Sequence, residues 1–313
     1  MAAAEHTTRP LLVTGAHRSG TTWVGKMLAQ GGDFAYVSEP LNVWHRPGVM
    51  RAPVEHWYTY ICEDNEAQYL DALQETSQLK YHLGREFLSL RSAKDAGRML
   101  RDGSIFTRGR LQGQRALLKD PFAVFSAPWF AEKLNCQVVV TVRHPAAFAS
   151  SLKRLGWTFN FWHLLIQPEL MRDHLEPYRT AMEVANLNAG DLILRAALLW
   201  RMIYAVVWEY SQTHTDIQVV RHEDLSLEPL TAYESLYAAL GIDYNQRARD
   251  GIRQATSAEN PSEVSRDAIY SVNLDSRANL KNWKKRLTPE EIERIRELTT
   301  DVAGHYYNDE DWI

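Results

Sequence analysis

The chain has 313 residues, 45% of them hydrophobic and ten of them tryptophan, enough for one large α/β domain with a sizeable core. Lys and Arg (35) nearly balance Asp and Glu (39), a net charge of −4, which argues against a general nucleic-acid binder and requires any anionic ligand to be met by a local cluster of cations. Two isolated cysteines, Cys62 and Cys136, supply neither a disulfide framework nor a metal-ligand spacing.

The opening Met-Ala-Ala-Ala-Glu-His lacks the basic and apolar regions of a signal peptide, so residues 1–8 are expected to be disordered and the protein cytoplasmic. The apolar run Leu11-Leu12-Val13 predicts a strand. It leads into Gly15-Ala16-His17-Arg18-Ser19-Gly20-Thr21-Thr22-Trp23 and a helix over 22–30, with Val24, Met27 and Leu28 apolar. A strand, a small-residue turn and a helix N-terminus make an anion cradle, because successive N–H groups point inward and the helix end adds partial positive charge. The spacing nearly matches the nucleotide-triphosphate loop G-x-x-x-x-G-K-[ST], but Thr21 stands where the lysine belongs and the basic residue comes earlier, as Arg18. The loop suits a phosphate-like group and is a poor kinase or ATPase loop.

Further along, 40–62 is rich in aromatics with weak periodicity, and a helix is expected over 66–80. A strand over 116–119 ends at Asp120-Pro121, and a second over 137–142 ends at Arg143-His144-Pro145, where Pro145 suits the start of a helix over 146–155. Residues 156–188 are again aromatic and irregular; such insertions form walls or lids around a site. The apolar-rich stretch 192–210 is broken by Arg195, Arg201 and Glu209, so a helix over 190–213 is read as buried and not as a membrane span. A strand over 217–220 ends at Arg221-His222-Glu223-Asp224, and helices follow over 230–239 and 289–303. The last has Thr288 as N-cap, Pro289 at its first position and Glu291 closing a capping box. Between them, 256–280 reads as a mobile loop. Short apolar strands ending in charge and separated by helices predict one α/β domain over 1–313, with a central parallel sheet flanked by helices and ligands at the strands' carboxyl ends. Basic clusters at 143–154 and 277–286 are the local cation concentrations that an acidic chain needs for an anionic ligand.

The lysine-free loop resembles that of the sulfotransferases that use 3′-phosphoadenosine 5′-phosphosulfate (PAPS), whose 5′-phosphosulfate loop reads basic-Ser-Gly-Thr-Thr-Trp. Residues 18–23 match it, with His17 before. The resemblance implies the P-loop-like sulfotransferase fold and assigns His17, Arg18, Ser19, Gly20, Thr21, Thr22 and Trp23 to the cofactor, Trp23 near the adenine. Arg18 stands where cytosolic members usually have lysine, so its role is electrostatic. Three further segments agree in order. Arg143 and Ser151 repeat the eight-residue spacing of the family's 3′-phosphate clamp, with Ser150 as the alternative if the helix phase differs by one. Arg221-His222-Glu223-Asp224-Leu225 resembles a Tyr-Glu-Asp-Leu segment and places His222 by the adenine, Glu223 and Asp224 being structural. The segment 277–288 resembles a basic-Gly-x-x-Gly-Asp-Trp-Lys segment that covers the nucleotide, so 256–286 is its covering loop and Arg277, Asn279 and Lys281 are its ligands. Ala278 and Lys281 replace the glycines, which leaves Arg277 and Lys281 as alternatives for the basic position.

The resemblance implies PAPS as donor, no metal, and a hydroxyl, less readily an amine, of a carbohydrate or small natural product as acceptor. The insertions 40–62 and 156–188 would wall the acceptor. The family's histidine base has no counterpart. Glu39, in Ser38-Glu39-Pro40-Leu41-Asn42, matches a Glu-Pro-Leu segment of carbohydrate-type and bacterial members; Asp120 and His82 are the alternatives, and Lys119 is a second cation for the transferring group. Two rival readings are a small-molecule kinase, disfavoured by Thr21, and an inactive nucleotide-binding member.

Overall fold

The computed structural model describes residues 9–263 and 273–313. The expected disorder of 1–8 and the 264–272 part of the covering loop lie outside the described residues. Five strands form a single parallel sheet: β1 (Leu11–Gly15), β2 (Phe34–Ser38), β3 (Arg115–Lys119), β4 (Gln137–Val142) and β5 (Ile217–Arg221), in the order β2-β3-β1-β4-β5. β1 is central, between β3 and β4, so the connections leave it in opposite directions. The crevice at its carboxyl end is where such sheets bind ligands.

Alternation along β1 sets the two faces of the core. Leu11 and Val13 pack with Val24, Met27, Tyr233 and Tyr237 on one side. Leu12 faces the other side, with Leu118, Val138 and Val140 against the long helix Leu192–Thr213. That helix buries Trp200 and Tyr204 completely, and carries its polar tips to the site. No helix among the described residues is long and apolar enough to cross a membrane.

Four predicted strands and the helices Thr21–Leu28, Pro145–Leu155, Leu192–Thr213, Pro229–Ala239 and Pro289–Ala303 stand within two residues of expectation. The Thr288–Glu291 capping box forms as read. The predicted helix 66–80 divides into a 3-10 turn (Glu66–Gln68) and a helix (Leu70–Ser77). Sequence reasoning misses β2, a short strand with two small residues, the shorter helices Ala127–Lys133, Arg179–Leu187 and Gln246–Ala255, and the helix Ala93–Leu111. That helix runs 19 residues yet buries only Asp102, Phe106 and Gly109, so it has no apolar stripe to betray it.

Candidate active site

β1 ends at Gly15, whose φ of +136° and closeness to Thr141 O (2.4 Å from a Cβ placed there) admit no side chain. The chain then turns through Arg18 (φ 69°) and Gly20 (φ 99°) into the first helix, Thr21–Leu28. A Cβ on Gly20 would lie 2.6 Å from His222 Nδ1. Buried side chains hold the turn from below: Ala16 N–H donates to Tyr204 Oη (3.3 Å), Tyr204 donates to Thr141 O (2.8 Å), and Ser19 Oγ meets Thr141 Oγ1 (2.8 Å). No side chain caps the first helix. Its opening amides have no intrahelical partner and are available to an anion.

Cations converge above those amides. Arg18, Thr21, Thr22, Trp23, Arg143, Ser151, His222 and Asn279 line one pocket with Gly20. Arg18 Nε donates to Ser151 Oγ (3.2 Å) and Arg143 Nη1 to Arg18 O (3.1 Å), so the loop and the strand-end arginine are locked together. Trp200 Nε1 fixes the backbone beneath by donating to Arg143 O (2.7 Å). Arg143 Nε is buried and has no hydrogen-bond partner. Burial lowers the Arg143 guanidinium below its ordinary value; Glu223 opposes this, and Arg286 and Arg154 add to it. Trp23 and His222 stand edge to face (centroids 5.2 Å apart), and burial holds the His222 imidazole neutral, at about 3. Glu223 accepts from His144 N–H and Tyr307 Oη, both at 3.0 Å, which is a structural tie.

Two cations of this pocket were not singled out in the sequence. Arg154 and Arg286 both line it, and Glu263 holds them, 3.1 Å from Arg154 Nη1 and in contact with Arg286 Nη2. Each sits at the end of one of the two basic clusters, which was the available signal. Arg277 and Lys281 lie outside the pocket lining; Arg277 instead donates to Leu227 O (2.6 Å) and pairs with Glu228. Ser19 is sealed beneath the loop, and His17 faces the opposite side.

On that opposite side two cavities meet. One, of about 620 Å³, is walled by His17, Trp57, Phe122, Trp157 and Phe159, with Arg18, Thr21 and Thr22 at its edge. The other, of about 560 Å³, is lined by Lys26, Tyr36, Arg46, Arg98, Arg101 and Lys119 among others. Thr22, Glu39, Asn42 and Trp44 border both. Glu39 follows β2 with a φ of 53°, its N–H donating to Lys119 O (2.8 Å) as an extension of the β2–β3 ladder. One Glu39 oxygen meets Lys119 Nζ and the other accepts from Asn42 Nδ2 (2.7 Å).

Asp120 is fully buried and lines none of the three cavities. It accepts from Phe122 N–H (2.9 Å) and Leu41 N–H, capping the turn Pro121–Ser126. Burial, with Glu39 nearby, pushes its carboxyl up to about 7. His82 also lines none of these cavities and lies 3.1 Å from Glu75. His17 Nδ1 lies 2.6 Å from Tyr58 Oη, and burial and Arg18 lower the imidazole to about 4.

The donor set fits an adenine nucleotide phosphorylated at two separated positions. It offers uncapped amides beside Arg18, a partly buried guanidinium with a buried, orphaned Nε, a backbone cradle that a Cβ would fill, and an aromatic pair. Among the described residues no group of three or more His, Cys, Asp or Glu is placed to hold a metal ion.

A model of a sulfotransferase family matches residues 10–246. No match is found among curated proteins. Among solved structures, a sulfotransferase domain from the curacin biosynthetic pathway is 16% identical, covering 95% of this chain and 99% of that one, with a TM-score of 0.45. The sulfotransferase STF9 from Mycobacterium avium is 13% identical over 95% of this chain and 76% of that one (TM-score 0.47). A mouse sulfotransferase complexed with PAP is 14% identical over 97% and 86%, with a TM-score of 0.43.

Proposed function

The chain belongs to the sulfotransferase family, and from that premise we propose that it moves the sulfuryl group of PAPS onto a hydroxyl, or less readily an amine, of a carbohydrate or small natural product. The nucleotide supplies an activated sulfur; the protein supplies position and charge. In this reading Arg143 and Ser151 hold the 3′-phosphate, with Arg154 and Arg286 closing over it once Glu263 yields. Arg18 and the first helix's amides hold the 5′ end, where guanidinium N–H groups pair with oxyanions in two directions. Trp23 and His222 flank the base.

Glu39 is the group that takes the acceptor's proton. It borders both acceptor-side cavities, whereas Asp120 is consumed by two backbone N–H groups beneath them. Lys119 and Asn42 fix the carboxylate's orientation, and each oxygen retains acceptor capacity toward the cavity. Lys119 also brings a positive charge to the transfer point.

The observation that carries this reading is the shared border. Arg18, Thr21 and Thr22 line the cation pocket on one side and the Glu39 cavity on the other, so both substrates reach one helix N-terminus. Calorimetry with 3′-phosphoadenosine 5′-phosphate (PAP) against ATP with magnesium, followed by radiolabel transfer from PAPS to an acceptor panel, tests it. Tight PAP binding with transfer is the expected result. Preference for ATP with magnesium would favour a kinase, and binding without transfer an inactive member.

A further inference from the structure

Lys26 lies four residues after Thr22 on the first helix. The two share a face, about 6 Å apart along the axis. Thr22 borders all three cavities, while Lys26 borders only the one of about 560 Å³. The other cations of that cavity have acids of their own. Arg46 pairs with Glu86 and Asp95, Arg98 with Asp95, Arg101 with Asp102 and Lys119 with Glu39. Lys26 has no ion-pair or hydrogen-bond partner among the described residues. It is half-buried, and burial together with nearby Lys119 lowers its ammonium below the ordinary value. A half-buried charge without a counter-ion is incompletely compensated, and an oxyanion entering the cavity that Lys26 shares with Glu39 would balance it.

The neighbouring cavity has the opposite character. Trp57, Phe122, Trp157 and Phe159 wall it, and it meets the Lys26 cavity at Thr22, Glu39, Asn42 and Trp44. We propose that the acceptor is an acid: a hydroxyl compound whose carboxylate or other oxyanion is held by Lys26, whose hydroxyl meets Glu39 at the border of the two cavities, and whose ring or apolar body lies among those aromatic side chains. This narrows the acceptor class and rests on the transfer reaction proposed above.

The probes are matched pairs whose hydroxyl lies between the acid and the apolar body: 4-hydroxy-6-phenylhexanoate, 5-hydroxydodecanoate and a mid-chain hydroxy fatty acid, each against its carboxamide. Binding to the PAP-loaded protein is followed by calorimetry, independently of transfer. At least one acid binds about tenfold tighter than its amide, the advantage shrinking with added salt. Lys26→Gln abolishes that advantage, Lys26→Arg keeps it, and Lys26→Glu reverses it. No acid preferred over its amide, or a preference that survives Lys26→Gln, overturns the proposal. Failure of PAP itself to bind would instead refute the transfer reading, and PAP calorimetry with each variant keeps the two failures apart while reporting a folded site.

Discussion

On one side of Thr22 the pocket is made by strand ends and helix starts; on the other, the aromatic walls of the cavity of about 620 Å³ come largely from irregular chain. The donor side takes Gly15, Gly20, Arg143 and His222 from the carboxyl ends of β1, β4 and β5, and a buried helix pins it through Trp200 and Tyr204. The acceptor side takes Glu39, Trp57, Trp157 and Phe159 from segments without regular structure. The donor is a fixed molecule and rewards a rigid cradle set by backbone geometry. The acceptor is what distinguishes one enzyme from another, and loops can change without disturbing the sheet.

The largest effect should appear where the sides meet. Glu39→Gln keeps the shape and the Asn42 contact but removes the base, so turnover should fall by about 10²- to 10⁴-fold. PAP affinity, measured by calorimetry, should stay within about twofold. Turnover near wild type would move the base elsewhere and make the Glu39–Lys119 pair a fastening of β2 to β3.

Next comes Arg143→Ala. Removing a charge-assisted donor whose Nε already lacks a protein partner should weaken PAP by about 30- to 1000-fold, from roughly 2–4 kcal/mol. Adenosine 5′-phosphate, without the 3′-phosphate, should lose far less. Equal losses would mean that Arg143 only braces the Arg18 turn through its bond to Arg18 O.

A smaller contrast separates Arg286 from Arg277. Arg286→Ala should cost PAP about tenfold and reduce the salt sensitivity of binding, whereas Arg277→Ala should change it by less than about twofold. The contrast also locates the limit of sequence reading. Residues 18–23 and the Arg143–Ser151 spacing were legible because their geometry is local: a glycine forced by a positive φ, a strand end, one helical phase. The segment 277–288 was not, because Ala278 and Lys281 remove the glycines that would fix its path. Its outcome depends on tertiary packing: Trp283 stacks on His144 (5.2 Å, 13°), which turns Arg286 toward Ser150 and leaves Arg277 to Glu228. The sequence set Glu39 ahead of Asp120 only through the Glu-Pro-Leu resemblance; in the structure both follow a strand. Only burial separates them, and burial is a property of the assembled turn. The acceptor walls at 40–62 and 156–188 were visible only as aromatic composition.

The smallest effect concerns stability and compares the two sides directly, since each holds a histidine kept neutral by its surroundings: buried His222 at the donor pocket and partly buried His17 at the acceptor wall. Their folded-state values, about 3 and about 4, lie below the ordinary 6.5. Above 6.5 neither state of the protein binds the proton. As pH falls below it, the unfolded chain takes up protons that the folded chain refuses, so stability declines through the folded-state values. Each histidine contributes a slope of up to about 1.4 kcal/mol per pH unit. Asp120 acts in the other direction: with its folded value near 7 against an ordinary 3.8, the folded chain holds a proton that the unfolded chain has lost, and stability declines as pH rises between those values. Urea unfolding from pH 7 to 4 should therefore show a slope that His222→Gln and His17→Gln each flatten, while Asp120→Asn steepens it by removing the opposing contribution. Bound PAP should sharpen the comparison. A doubly phosphorylated ligand beside His222 favours its protonated form, so saturating PAP should reduce the slope in wild type and in His17→Gln but have little further effect in His222→Gln. If PAP acts equally on all three, the nucleotide does not lie against His222, and the donor pocket is differently filled.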